Sequence, residues 1–206
     1  MADVTVEIKT SRAISAQIIR HKSFSYQEHS QRYAAIQFYE NIELRKQNKK
    51  NRQDSLTEPV AYIDLSEIQQ TPDFFSRLSF ILRYLFKPNK LTLEQAISEI
   101  YPLLNRINFV YQTLISNDVS RETARFILPL TVGSKIYMKG SFRSWLHYFE
   151  VRAFGEGVQK EHRLIALKIV KSFASRFPII SEALDWDNKI KTQLQAMNIV
   201  DGYDDW

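Results

Sequence analysis

The chain has 206 residues, of which 44% are apolar and 13% aromatic, so it can bury a hydrophobic core and is not a disordered polymer. Its net charge of +5 and its pI near 9.3 favour an anionic partner, either nucleic acid or small phosphorylated molecules. Cysteine is absent, which excludes disulfides, thiolate metal sites and a cysteine nucleophile. No apolar run approaches the roughly 20 residues of a membrane span, and no signal pattern opens the sequence. We therefore expect one cytoplasmic domain, or a subunit of an oligomer.

A strand and a helix are the first predicted elements. Apolar and polar residues alternate from Val4 to Ile8, which predicts a half-buried strand. Ser11 is a candidate N-cap for the helix that follows. The apolar stripe of this helix consists of Ile14, Ile18 and Ile19.

The next segment is crowded with cations and neutral polar groups, and we expect it to form about one further turn and a loop. Its members are Arg20, His21, Lys22, Ser25, Glu28, Ser30, Gln31 and Arg32. Arginine presents a planar fork of donors that matches phosphate oxygens, and Ser and Gln add hydrogen bonds without charge. Glu28 can accept from a ribose hydroxyl or a base edge. This chemistry predicts a nucleotide-phosphate site; on composition alone, a solvated basic loop is the first alternative.

The middle of the chain is predicted to change from polar to helical. Residues 40–58 read as a polar loop or insert. A helix is predicted from Pro72 to Leu85, and Thr92 with Gln95 forms a capping-box pattern for another that runs to about Leu114. Pro102 is expected to kink or split that second helix.

A second polar cluster lies in the carboxyl-terminal half. Ser120 is predicted to begin a short helix with Arg121 and Arg125 on one face, and residues 135–139 alternate as a strand. Residues 141–152 then read as a helix capped near Ser141, in which Arg143 and His147 share a face. At 100° per residue, Arg152 lies about half a turn away from Arg143, so it must serve a different ligand or a different subunit.

The remaining residues suggest a helix and a tail. A helix is predicted from about Gln159 to Phe177, and residues 184–206 are predicted to be an acidic, peripheral tail. The four histidines show no metal-ligand spacing, so we predict no metal site.

The segment RHKSFSYQEHSQRY resembles the signature of the flavin-dependent thymidylate synthases, an Arg-His-Arg triplet followed by Ser and then by Glu-x-Ser-x-Arg. The matching residues are Arg20, His21, Ser25, Glu28, Ser30 and Arg32, with Gln17 upstream where the family has a nucleotide-contacting Gln. The third triplet position is Lys22, which keeps the charge and loses the fork. Residues 51–55, 120–130 and 141–152 also resemble family segments. The absence of cysteine is consistent with this resemblance, because the common route to methylating uracil adds an enzyme thiol to the ring and therefore needs a cysteine.

The resemblance implies an α+β fold in which helices pack around a small antiparallel sheet, in one domain over residues 1–206. It also implies an obligate oligomer, a homotetramer with sites shared between subunits. The implied reaction converts dUMP to dTMP, with methylenetetrahydrofolate as carbon donor, NADPH as reductant and FAD as cofactor. Arg152 is the implied catalytic residue, which stabilises negative charge on the uracil ring.

The resemblance also assigns binding residues. Those expected to bind dUMP are Gln17, Arg20, Glu28, Ser30, Gln31, Arg32, Arg125 and Arg152. Those expected to bind FAD are Arg20, His21, Lys22, Glu28, Ser141, Arg143 and His147.

Three alternatives remain open at this point. Members of the family carry a further flavin-contacting stretch upstream, so one expectation is a separate N-terminal polypeptide, or an inactive fragment or assembly subunit. A relative that leaves a hydroxymethyl group on the uracil is another. The least favoured is a basic nucleic-acid-binding module, for which the Lys- and Arg-rich residues 45–52 are the best support.

Overall fold

Within its described residues, the computed structural model has a three-stranded antiparallel sheet, a separate two-stranded hairpin and helices that pack against both. The structure describes residues 3–32, 34–50, 55–66, 68 and 91–199. This mixed architecture confirms the predicted α+β class.

The strands are β1 (Asp3–Ser11), β2 (Ser25–Glu28), β3 (Ile42–Gln47), β4 (Ser55–Ile63) and β5 (Gly133–Ser141). The helices are α1 (Arg12–Ile18), α2 (Leu93–Ser116), α3 (Arg121–Ala124), α4 (Phe142–Tyr148), α5 (Lys160–Arg176), α6 (Pro178–Ala183) and α7 (Trp186–Ala196). A 3-10 turn, Arg125–Ile127, follows α3, and a π-helix, Phe149–Ala153, follows α4.

Strand β5 is the centre of the main sheet, with β1 on one side and β2 on the other. It pairs with β1 along its whole length, from Asp3 opposite Ser141 to Ser11 opposite Gly133. Its pairing with β2 runs from Ser25 opposite Lys139 to Glu28 opposite Ile136. The segments that enter and leave β2 therefore lie at opposite ends of the β2–β5 pair.

The main core lies between this sheet and helices α4 to α7. Alternate residues of β5, Ile136 and Met138, are fully buried there, and Trp145 anchors α4 against them. The indole Nε1 of Trp145 donates to the Val4 carbonyl, 3.1 Å away, so this helix is fixed to β1 as well. A smaller cluster packs α2 against the hairpin.

Most of the predicted helices and strands are present. Thr92 and Gln95 form both hydrogen bonds of the capping box at the start of α2. That helix runs through Pro102 as one element and is not split. Ser11 lies at the N-cap of α1 without a side-chain cap, since the first helical N–H groups donate to the carbonyls of Val132 and Leu130 instead. The predicted helix from Pro72 to Leu85 lies outside the described residues.

The prediction of a polar loop at residues 40–58 is wrong, since strands β3 and β4 form a hairpin there. Two of its charged residues are paired: the Arg45 side chain, 7% exposed, donates to Glu43 and binds both oxygens of Glu161 on α5. Lys160 donates to both oxygens of Glu43. A polar composition therefore concealed an ion-pair network that holds the hairpin against α5.

Three further predictions are corrected. The predicted tail contains a helix, α7, that packs on the main core, because Trp186, Ile190 and Leu194 recur at intervals of four and form one buried apolar face. The turn and loop predicted after Lys22 contain strand β2, and Ile19 is 42% exposed rather than part of the buried stripe. Among the described helices, none is both long and apolar enough to cross a membrane.

Candidate functional site

A change of helix type places Arg152. The α-helix that Ser141 caps, by accepting from the Ser144 amide at 3.2 Å, widens into a π-helix at Phe149, where the Phe154 amide donates to the Phe149 carbonyl. Short π-helical insertions re-aim side chains and are frequent at functional sites. Arg152 thereby lies half-buried in the last turn of this segment.

A second device fixes the end of the π-helix. Arg163 of α5 donates through Nη1 to the Ala153 carbonyl at 2.9 Å and to Gln193 at 2.7 Å, and through Nη2 to the Gly155 carbonyl at 2.7 Å. Helix carbonyls at a C-terminus lack intrahelical partners, and a cation there also complements the helix dipole. Arg163 therefore holds the backbone that carries Arg152.

Arg152 and His21 meet although 131 residues separate them in sequence. Arg152 Nε donates to His21 Nε2 across 2.8 Å. A guanidinium is always protonated and can only donate, so His21 Nε2 must carry a lone pair. The contact therefore assigns His21 as neutral, with its proton on Nδ1.

Burial supports the same protonation state. Burial, with the nearby charges of Arg152 and His147, lowers the pKa of His21 to about 4. Near pH 7 the ring is therefore a hydrogen-bond acceptor for Arg152 and adds no second positive charge.

Two fully buried side chains lie behind this pair. The hydroxyl of Tyr148 and Nε2 of His162 are 3.0 Å apart, and both residues are 0% exposed. Burial, followed by the charges of Arg152 and His21, lowers the pKa of His162 to about 3, and burial raises the pKa of Tyr148 well above its ordinary range. We call His21, Tyr148, Arg152 and His162 the aromatic end of the β2–β5 pair.

The other signature residues lie past the far end of β2. Arg32 Nη2 is 3.0 Å from Glu122 Oε1, and the Arg125 Nε–H donates to the Glu122 backbone carbonyl at 3.2 Å. The Ser30 hydroxyl accepts from the Arg32 amide at 3.3 Å. Among the described residues, the Gln31 side-chain nitrogen is buried without a hydrogen-bond partner. We call Ser30, Gln31, Arg32, Glu122 and Arg125 the exposed end.

Glu28 lies between the two ends and is engaged within the chain. Its Oε1 accepts from the hydroxyls of Ser15 at 2.8 Å and Ser134 at 2.7 Å, and it forms an ion pair with Arg12 at 2.6 Å. Despite the opposing effect of burial, these hydrogen bonds and the Arg12 charge lower the pKa of Glu28. This carboxylate ties β2 to α1 and β5, so the oxygen predicted to accept from a nucleotide already has three partners.

The other predicted flavin and nucleotide residues lie on α1, just after it, and on α4 and its N-cap. Arg20 and Lys22 are exposed on either side of His21, and Arg143 and His147 are exposed on α4. Gln17 donates to the side-chain oxygen of Gln159, 2.5 Å away, at the start of α5. The Ser141 hydroxyl is used in capping α4 and in contact with the Ser144 hydroxyl.

The structure thus separates the predicted residues into two groups. His21, Arg143, His147 and Arg152 belong to one end of the β2–β5 pair, and Ser30, Arg32 and Arg125 to the other. Within one chain, the two groups do not form one pocket among the described contacts.

Sequence reasoning missed Tyr148, His162 and Arg163. His162 and Tyr148 are 14 positions apart on different helices, and each alone looks like an ordinary core or surface residue. The one available signal for Arg163 was its position in the first turn of α5, where a cation is unfavourable to the helix dipole and needs another reason. Across the described residues, no group of His, Asp and Glu side chains could hold a metal ion.

Comparison with known proteins gives consistent matches over most of the chain. The Thy1 family model, described as "Thymidylate synthase complementing protein", matches residues 1–179. The chain is 40% identical over 186 residues to a flavin-dependent thymidylate synthase from Synechocystis sp.. The aligned region covers 90% of this chain and 73% of that protein. It is 36% identical to a probable flavin-dependent thymidylate synthase from Paramecium bursaria Chlorella virus 1, over 90% of this chain and 72% of the viral protein.

A solved structure shares the fold. It is a UMP/dUMP methylase, PolB from Streptomyces cacaoi, bound with 5-Br dUMP, with a TM-score of 0.56, 20% identity and coverage of 89% of this chain and 70% of that one. With the family match and the identities above, this confirms the resemblance seen in the signature. The chain belongs to the flavin-dependent thymidylate synthase family.

Proposed function

We propose that this chain converts dUMP to dTMP, with methylenetetrahydrofolate as the one-carbon donor, NADPH as the reductant and FAD as the cofactor. FAD, when bound, supplies the hydride of the reductive step. The protein then has to bind the nucleotide, orient its ring and stabilise the charge that develops on it. Family membership and the thymidylate synthase relatives described above support this reaction.

The observation that carries the proposal is the state of Arg152. Its Nε–H donates to a neutral histidine, His21. Within the described residues, no carboxylate pairs with its two terminal nitrogens. A half-buried arginine without a counter-ion is costly, since a desolvated charge needs a partner. A bound ligand with carbonyl oxygens or negative charge would supply that partner.

Arg152 is therefore the group we assign to the uracil ring. Its terminal N–H groups stabilise the negative charge that appears as N3 loses its proton, and that charge makes C5 nucleophilic. Removal of one preorganised donor of this kind costs roughly 3–4 kcal/mol of transition-state stabilisation. His21 keeps the guanidinium in place and, being neutral, does not weaken its field.

The exposed end suits the nucleotide phosphate. Arg32 can exchange its contact with Glu122 for a bidentate contact with a phosphate, and Arg125 lies close to Glu122 in the chain. The Ser30 hydroxyl and the buried amide nitrogen of Gln31 supply neutral donors.

The separation of the two ends supports a shared site. A four-residue strand with a rise of about 3.3 Å per residue places them at least about 10 Å apart along β2. We propose that the aromatic end of one subunit and the exposed end of another form each nucleotide site, in a homotetramer. Phe126, 81% exposed, and Leu130, 67% exposed, follow Arg125 in the chain and give this segment apolar surface suited to a subunit contact.

The residues present also fit FAD. Arg20, Lys22 and Arg143 are exposed cations, and in the part of the chain that the structure describes none of them forms an ion pair. Such a set suits the diphosphate of a flavin nucleotide, and His147 adds a further polar side chain on the face of α4 that bears Arg143. Lys22 provides a point charge where a guanidinium would give a fork.

The test is release of tritium from C5 of [5-³H]dUMP by the protein assembled with FAD, NADPH and methylenetetrahydrofolate. Arg152→Ala is expected to lower the rate by 10²–10³-fold. The matched control is Arg176→Ala, which removes an exposed arginine at the end of α5 and should leave the rate unchanged. Near-normal release by Arg152→Ala would contradict the proposal, and the mass of the nucleotide product distinguishes a methyl from a hydroxymethyl group.

A further inference from the structure

We propose that Tyr148 and His162 are positioning residues: their buried hydrogen bond holds the His21 ring so that Nε2, and not Nδ1–H, faces Arg152. The kinetic part of this inference rests on the proposed function, whereas its structural part does not. Neither residue belongs to the sequence signature, and neither contacts solvent.

The orientation of the His21 ring is restricted by its two aromatic neighbours. His21 packs against Tyr148 with centroids 5.0 Å apart and planes at 79°, and against His162 at 6.2 Å and 83°. These are edge-to-face contacts, which favour particular ring orientations. Two faces of the His21 environment are therefore set by residues that are bonded to each other.

A hydrogen bond joins these two neighbours of His21. Tyr148 and His162 come from different helices, α4 and α5, and their polar atoms are 3.0 Å apart. This contact restricts rotation of both rings, so neither can turn away from His21 alone. Tyr26 adds a backbone restraint, because its hydroxyl lies 2.9 Å from the carbonyl oxygens of both Ile18 and His21 and shares its one proton between them.

Burial of this polar pair costs free energy. Two apolar side chains could fill the same space with no polar group removed from water, and burial of polar groups stabilises only when they are fully bonded. Among the described residues, Nδ1 of His162 is buried without a partner. Packing alone therefore does not explain this polar pair, whereas a requirement to orient the His21 ring does.

The charged and titratable groups near the cluster fit this account. Arg152 and His147 face His21, Arg152 and His21 face His162, and Tyr26 and Arg152 face Tyr148. Arg152 is the fixed positive charge among these groups. Neutral rings around it let one guanidinium dominate the local field.

The test uses the four histidines of the chain as reporters. In ¹⁵N-histidine-labelled protein, long-range ¹H–¹⁵N spectra report the tautomer of each ring, and His21→Gln assigns the His21 signals. The wild-type His21 is expected as the single Nδ1–H tautomer. Tyr148→Phe, which removes only the hydroxyl, is expected to give a mixture of tautomers and a kcat about tenfold lower. Tyr39→Phe, which removes a hydroxyl bonded to Asn108 at 3.0 Å outside the site, is the matched control.

A double variant separates positioning from packing. Tyr148→Phe with His162→Leu leaves no buried polar group at the pair, so it should regain thermal stability relative to Tyr148→Phe while the tautomer mixture and the low kcat persist. The inference is overturned if the double variant restores the single tautomer and kcat along with stability, or if Tyr148→Phe behaves like Tyr39→Phe.

The two proposals fail in different ways. A wild-type protein without turnover, whose His21 tautomer still depends on Tyr148, would contradict the proposed function and support the positioning role. Turnover with His21 signals that ignore both variants would support the function and overturn the positioning role.

Discussion

The two ends of the β2–β5 pair are built in opposite ways. At the aromatic end, Arg152 is half-buried, contacts a neutral His21 and is supported by the buried pair Tyr148–His162. At the exposed end, Arg32 and Glu122 form a pair whose side chains are 46% and 53% exposed. One arginine is thus preorganised by the core, and the other is held by a contact that water competes with.

This difference matches the two tasks that we assign to them. Charge that develops on a ring during the reaction is best stabilised by donors that need no rearrangement. A phosphate is fully charged before it binds, so a mobile cation can form its contacts on arrival. The expected effects of substitution should therefore fall from the aromatic end to the exposed end.

The largest expected effect comes from replacing Arg152 with lysine. Lysine keeps the charge but lacks the fork, so it cannot bond His21 and reach the uracil at once. We expect kcat to fall by about 10²–10³-fold. Steady-state kinetics of C5 tritium release will measure it.

The same substitution at Arg32 is the internal comparison. Lysine can still pair with Glu122 or with a phosphate, so KM for dUMP should rise by no more than about tenfold, with kcat nearly unchanged. Equal losses at the two positions would show that the contrast between the ends has no functional meaning.

Arg163→Ala should give the next largest effect, on stability. It leaves the Ala153 and Gly155 carbonyls without their charged donor, and hydrogen bonds to charged groups contribute about 1.5–3 kcal/mol each. We expect a loss of about 3 kcal/mol in the free energy of unfolding by urea. Arg176→Ala, at an exposed position on the same helix, should lose less than about 0.5 kcal/mol; a similar loss in both would refute a specific role for Arg163.

Gly140→Ala tests the support beneath the aromatic end. A Cβ at this position would lie 2.5 Å from a ring carbon of Phe24, which packs edge-on against Trp145 and Tyr148. Overpacking of this kind costs about 1–3 kcal/mol. Thermal unfolding should show the loss, while Lys139→Ala, the exposed neighbour on β5, should show almost none. Full stability of Gly140→Ala would mean that Phe24 does not support the aromatic end.

The sequence predicted single elements better than the contacts between them. Periodicity located β1, α2 and α5, since their apolar residues repeat along one element. The resemblance pointed to both His21 and Arg152, but the contact between them depends on the π-helix, and no residue pattern in the segment marked that change of pitch.

The sequence also did not show which side chains on distant elements pair with each other. Residues 40–58 look like a solvated segment because they are rich in charge. Arg45 and Glu43 have their partners on α5, far along the chain, and a local sequence pattern does not show such partners. Glu28 is similar: its type suggests a ligand contact, and its actual partners come from α1 and β5.

Acid should destabilise the aromatic end first. The folded-state pKa values of His21 and His162, about 4 and about 3, lie below the ordinary value of 6.5, so the unfolded chain binds more protons between these limits. Stability is therefore complete above about pH 6.5 and falls as the pH decreases below it. For the fully buried His162 we expect a loss of about 2 kcal/mol between pH 7 and pH 5, measured by urea unfolding.

The double variant Tyr148→Phe with His162→Leu is the control, because it lacks the group that titrates. Its stability should depend less on pH over this interval. The lowered pKa of Glu28 acts with the same sign but below pH 4.5, so it does not contribute there. An equal pH dependence in both proteins would show that His162 is not the origin of the loss.

Glu122→Gln should have the smallest effect, and a revealing one. Exposed ion pairs contribute about 0.2–1 kcal/mol, so the free energy of unfolding should change by less than about 0.5 kcal/mol. The substitution removes a carboxylate charge 3.0 Å from Arg32, and that charge competes with an incoming phosphate. KM for dUMP should therefore fall by about two- to threefold, more at low salt because exposed charges are screened by ions. A rise in KM would instead mean that Glu122 holds Arg32 ready for the nucleotide, so that the exposed end, like the aromatic end, is organised before the ligand arrives.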